Sequence, residues 1–332
     1  MMSMEEREDL NSMPRPKSVF ACLSLGFDVV AQRPTLMLPP LLLDVFLWLG
    51  PRLAIPFDPA LLAEMAHQLE LENGMIAQIQ TLWEHYNLFF TLSLAPVINL
   101  PSLAARERFW EAPLPRTVLT LQSDLSLLAA FVVLLMIGIA LGAAFLRAIA
   151  LAVLEALELP LPGPQDWGVM SRRLLKLAGL ELPFILAGLG LFILLATAII
   201  PQGLGIFLFS AVSLLGLYLG FYLILAVPAV FMAGRQTLAA LREVFLLIQV
   251  DFLGVFLLYF LSFSLYSGLN ILWTAPKPTS WLQLAGLGGH AFIATGLTAT
   301  LFIFYVNRLE YIRALEQAFA TMRAQASATR HS

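Results

Sequence analysis

Residues 125–146 read LSLLAAFVVLLMIGIALGAAFL, with no Asp, Glu, Lys or Arg among them. About 20 apolar residues in a helix rise about 30 Å, the thickness of a bilayer's hydrocarbon core. Lipid offers no hydrogen bonds to the backbone, so such a run can cross only as a helix. Five more runs fit around it. They are Thr35–Gly50, which is short and holds two prolines, then Leu182–Ile200, Leu204–Met232, Phe252–Trp273 and Leu284–Val306. The expected fold class is therefore all-α, a polytopic membrane bundle of six transmembrane helices. Composition agrees: 12% of the 332 residues are charged, about half the share usual in soluble domains.

Lys and Arg in the loops give the orientation. With the N-terminus inside, fourteen of the nineteen fall on the cytoplasmic side. Arg52, Arg106, Arg108, Arg116 and Lys277 fall outside, four of them in one long loop. Both termini are expected inside a bacterial-type cytoplasmic membrane. Residues 1–17 read as a disordered polar tail without a signal-peptide core. Residues 18–306 form the membrane domain, and 307–332 a cytoplasmic helix and tail. The net charge of −3 gives no basic field for nucleic acid. The single cysteine, Cys22, excludes an intrachain disulfide and a cysteine metal cluster, and reads as a small buried hydrophobe.

Three stretches before spans have an amphipathic character. Leu238, Leu241, Phe245, Ile248 and Phe252 share a helix face, with Arg235 and Arg242 on another. Trp167, Met170, Leu174 and Leu177 repeat the spacing, with Asp166 as N-cap and Arg172, Arg173 and Lys176 off the stripe. Phe20, Leu23, Phe27 and Val30 repeat it again. The pattern suggests three units of elbow helix, span, outer loop and span. Each elbow would lie in the cytoplasmic headgroup layer, its cations at anionic lipid. The lipid-headgroup candidates are thus Arg172, Arg173, Lys176, Arg235 and Arg242.

The stretch AVPAVFMAGRQTLAALREVFLLIQVDFLGVFLLYFL (226–261) resembles a signature of bacterial six-span membrane proteins of unknown function. These are grouped loosely with the membrane domain of glycerophosphodiester phosphodiesterases and with Yip1-like proteins. Pro228, Gly234, Leu241 and Arg242 carry the likeness, and QRPTLMLPPLLLD (32–44) resembles the start of their first span. The acidic residue usual before the small residue is missing from TLAALRE. The resemblance implies a topology and no catalytic residues.

Residues 51–124 are the one sizeable extramembrane segment, expected as a helical cap resting on the outer surface. Asp58 and Pro59 open one predicted helix, SLAARERFW suggests another, and Trp83, Tyr86 and Trp110 suit an interface. The cap reads either as a lid or partner-docking element or as a structural insertion. His67 and His85 lack metal-ligand spacing, so no metal and no cofactor is expected.

Ionisable groups inside a span are functional candidates. Asp44 falls mid-way in the first span, His290 early in the sixth, and Arg147 near the inner end of the second. Asp44 with His290 or Arg147 is the expected polar core. It serves either as a proton-linked site or ligand counter-ion, or as a packing hydrogen bond, the reading preferred. Glu181 and Asp251 read as capping residues. The small-residue pairs Gly138/Gly142 and Gly216/Gly220 suit close helix packing. No Walker loop, GxSxG, CxxC or catalytic carboxylate pair occurs. The chain is read as a non-enzymatic membrane protein that organises lipid or a membrane protein partner. The alternatives are a small-solute transporter using Asp44 and, last, an intramembrane lipid-modifying enzyme.

Overall fold

The computed structural model describes residues 16–55, 85–95, 97–107, 111–121, 123–160, 167–196, 202–232 and 235–331, with a few single positions between 60 and 81. The described helices are α1 Val19–Gln32, α2 Leu38–Leu49, α3 Leu103–Glu107, α4 Asp124–Ala156, α5 Trp167–Ala196, α6 Gln202–Met232, α7 Thr237–Val250, α8 Phe252–Trp273 and α9 Gln283–His331. The tail at 1–15, the helix start at Asp58–Pro59, Trp83, Trp110 and the Asp166 cap lie outside the described residues.

Among the described residues, four helices are long and apolar enough to cross a membrane: Leu125–Ala156, Gly203–Met232, Phe252–Trp273 and Gln283–Thr321. The expected third span is the second half of α5, whose final residues lie outside the described ones. The expected first span is different. Its helix, α2, has 12 residues, about 18 Å of rise, too short for the hydrocarbon core. Prolines set both of its limits. Pro34 stops α1 at Gln32, because the residue before a proline avoids helical geometry. Pro39 and Pro40 fit only in a first helical turn, where their missing N–H costs nothing. A single 3-10 turn, Pro34–Met37, joins the two helices.

α9 is the central element. The apolar window of α9 is 61% buried, against 22% for α4 and 17% for α8. It continues without a break into the expected C-terminal helix, 49 residues in all. α1 crosses it closely at a glycine contact, where a Cβ on Gly26 would collide with Thr300 and Gly296. α5 and α6 form a hairpin, and α7 packs beside α6.

The elbow faces are only partly as expected. α1 buries Val19, Cys22, Leu23, Gly26, Val29 and Val30. Phe20 of the expected stripe is 62% exposed. In α5 the stripe holds, since Met170, Leu174 and Leu177 are buried. The expected first elbow is thus a separate helix, while the expected second one is continuous with the rest of α5. In α7 the buried face is Ala240, Val244 and Leu247. The expected stripe is split: Leu241 and Ile248 are partly buried against the core, while Leu238, Phe245 and Phe252 are exposed.

Of the segment 51–124, the described part does not only lie on the surface. Its two ends meet as a short parallel pair, β1 Arg52–Ala54 with β2 Val118–Thr120, in register Arg52↔Val118. Between them, residues 88–104 enter the core: Leu88, Phe90, Leu92, Ile98, Leu100, Leu103 and Ala104 are all buried. Asn87 anchors the entry, its Oδ1 accepting from the Leu53 N–H (3.0 Å) and the Phe89 N–H (3.2 Å). The backbone of this segment lies on α4 at Gly138 and Gly142, where a Cβ would strike the carbonyl oxygens of Leu92 and Ile98. Gly138 is 14 residues into α4, about 21 Å along it. The glycine pair therefore receives a loop beside the middle of a long apolar helix, where a helix had been expected. Non-helical backbone at such a level is tolerated where protein buries it.

Candidate functional site

Two polar constellations stand out. The first is built around Asp44, which α2 carries into the core at zero exposure. Its Oδ1 accepts from the Ser102 hydroxyl (2.5 Å) and the Ala104 backbone N–H (2.9 Å). Its Oδ2 faces His290 Nδ1 at 3.6 Å. His290, 1% exposed, bonds through Nε2 to the Tyr266 hydroxyl at 3.0 Å. The Arg106 guanidinium lies over the Tyr266 ring, 4.8 Å from its centroid, and Arg106 also pairs with Glu107 at 3.5 Å. Glu107 accepts from the Asn270 amide at 2.7 Å.

The sequence named Asp44 and His290, and the structure brings them together. Arg147 lies partly buried on α4, and the side chain that faces Asp44 Oδ2 is His290. Ser102, Tyr266 and Arg106 were not anticipated. Ser102 was legible as an N-cap: its Oγ also accepts from the Ala105 N–H at 3.1 Å, the usual role of Ser before a short helix. Tyr266 and Arg106 had no local signal, because only the folded-in segment brings α3 to α8.

Asp44 is a structural hub. A buried carboxyl group needs partners; this one fastens the inserted segment to α2 through Oδ1, with His290 of α9 beside its Oδ2 at 3.6 Å. Among the described residues, no three His, Cys, Asp or Glu side chains gather as a metal site would require.

The second constellation lies where the elbows meet. Arg172, Arg173 and Lys176 of α5 line one cleft of about 460 Å³ with Val169, Gln236, Thr237 and Leu238. Among the described residues of its lining, the charged ones are these three cations. Thr237 of α7 closes it, its hydroxyl donating to the Arg173 carbonyl at 3.4 Å. On the other side of the α7 start, Arg235 pairs with Glu243 at 3.2 Å. Arg242, Arg313 and Glu316 continue that face in a mixed-charge groove.

The same end of the molecule is tied by charged contacts. Arg308, 4% exposed, donates to the Asp251 carboxylate, and to the Lys17 carbonyl and Asn307 Oδ1, both at 2.8 Å. Asp251 also caps α8, accepting from the Gly254 N–H at 3.0 Å. Arg33 meets Glu155 at 2.6 Å. α1, the end of α4, the start of α8 and the middle of α9 are thereby joined. At the opposite end, Trp48 donates to the Pro278 carbonyl (2.7 Å) and Arg116 to the Leu47 carbonyl (3.3 Å).

No family model matches the chain, and no curated protein or solved structure does. The four apolar helices are those of a multi-pass membrane protein; beyond that class, the site geometry carries the functional reading.

Proposed function

We propose that this chain is a non-enzymatic protein of a bacterial-type cytoplasmic membrane that holds anionic lipid at its inner face. The observation that carries the reading is the cleft on which Arg172, Arg173 and Lys176 converge. A phosphate group is a suitable occupant of such a set. Each cation near an anionic surface contributes about 1 kcal/mol, so three give about 3 kcal/mol, or roughly 100-fold in affinity.

The topology belongs to the same proposal. Six crossings, with α1 and α2 together as the first, from Lys17 beside Asn307 to Trp48 beside Pro278, and both termini inside, would put the charged end at the cytoplasmic leaflet, as the positive-inside pattern favours. The first turns of α5 and α7 are then interfacial elbows, while α1, whose Gly26 meets Gly296 and Thr300 of α9, is packed along that helix. The outward Leu238 and Phe245 of α7 support this, since they would dip into the acyl boundary. The likeness of 226–261 to six-span proteins supports the topology alone. Enclosure of Asp44 favours its packing role over a coupling role in transport.

The test is phosphorus analysis of lipid co-purified with the wild type and with R172Q/R173Q/K176Q. The variant is expected to lose anionic phospholipid selectively while keeping neutral lipid. Equal anionic lipid in both would defeat the proposal.

A further inference from the structure

A cavity of about 490 Å³ lies between the inserted segment and α8, its lining including Ser93, Asn99, Ser102, Arg106 and Tyr266 beside Phe90. Its position creates a physical difficulty. Asn99 is exposed, yet its backbone abuts Gly142, beyond the middle of α4. Tyr266 lies seven residues inside the end of α8, about 10 Å deep. The Arg106 side chain is 38% exposed. An amide and a guanidinium at such a level cannot have hydrocarbon as their surroundings without a cost of several kcal/mol. Water or a polar solute must meet them.

We infer that this cavity is a hydrated vestibule, open at the end of the molecule that carries Arg52 and Arg116, and that it binds a small solute through an anionic group. Arg106 is the only charged residue among the described ones in its lining, and its guanidinium is held in place by the Tyr266 ring and by Glu107 at 3.5 Å. Ser102 and Asn99 add hydrogen-bonding groups, and Phe90 with Leu94 offers an apolar wall. The solute is a carboxylate or phosphate on a compact body. The floor is firm because Ser102 is bound to Asp44 and Tyr266 to His290. This site is at the opposite end from the basic cleft and does not depend on it.

Cysteine accessibility tests the inference. Asn99→Cys and, as a lipid-facing control, Phe256→Cys are placed in a Cys22→Ala background and reconstituted in vesicles. Water-soluble methanethiosulfonates of equal size and opposite charge are the reagents. Asn99→Cys is expected to react, the anionic reagent at least several-fold faster than the cationic one, and Phe256→Cys is expected to stay unreactive. Arg106→Gln should abolish the charge preference while labelling persists. Protection by inorganic phosphate would identify a free anion as occupant. Protection by octyl phosphate alone would identify an amphiphile headgroup. Absence of labelling in vesicles with full labelling after denaturation overturns the vestibule. Labelling without a charge preference, or a preference that survives Arg106→Gln, overturns the anion site, as does protection by neither probe.

Discussion

Asp44 shows how much one side chain can hold. It satisfies a hydroxyl and a backbone N–H of the inserted segment and faces His290. Replacing it with Leu leaves those donors buried and unpaired, at about 1–3 kcal/mol each. Thermal unfolding in detergent should show Asp44→Leu strongly destabilised and Asp44→Asn, which still accepts hydrogen bonds, much less so. Equal stabilities would show that the carboxylate fastens nothing. Cys22 makes a second case. It is fully buried on α1, and burial pushes its thiol above the ordinary range, against a smaller opposing pull from Arg308 and Lys17. The thiolate is the reactive form, so Cys22 should resist maleimide in the folded protein and react once unfolded. Fast labelling at neutral pH would mean that α1 is not docked on α9.

At the scale of elements, the long apolar runs were legible because hydropathy over 20 residues is a strong signal. The elbow faces were less so. In α7, tertiary packing chose Ala240, Val244 and Leu247 over the bulkier stripe, and periodicity alone cannot tell a protein-facing stripe from a lipid-facing one. The insertion of residues 88–104 was not legible at all. Its apolar residues looked like a surface cap's, and the glycines of α4 looked like a helix-packing pair. Only the folded chain shows that Gly138 and Gly142 admit the carbonyls of Leu92 and Ile98. Gly142→Val should therefore cost about 1–3 kcal/mol through overpacking and make the segment from 88 to 107 cleavable by added protease. A variant with unchanged melting and unchanged proteolysis would contradict the close approach. Gly168→Ala, at a glycine where nothing stands within 4 Å of a Cβ, is the control and should be silent.

For the whole molecule, the arrangement has two unlike ends. One holds the ion pairs of Arg33, Arg235 and Arg308 and the cleft on which Arg172, Arg173 and Lys176 converge. The other joins Trp48, Arg116 and the strand pair. This segregation was readable in outline from loop charges. The cleft itself was not, because it needs α7 to fold back on the start of α5 through Thr237. The account rests on that cleft being a lipid phosphate site. The most direct measurement is lipid selectivity by electron paramagnetic resonance, with spin-labelled phosphatidylglycerol and phosphatidylcholine added to reconstituted protein. Wild type is predicted to immobilise phosphatidylglycerol preferentially. R172Q/R173Q/K176Q is predicted to lose most of that preference, and high salt to weaken it in the wild type. A wild type that immobilises both lipids equally, or a triple variant with undiminished preference, would contradict the account.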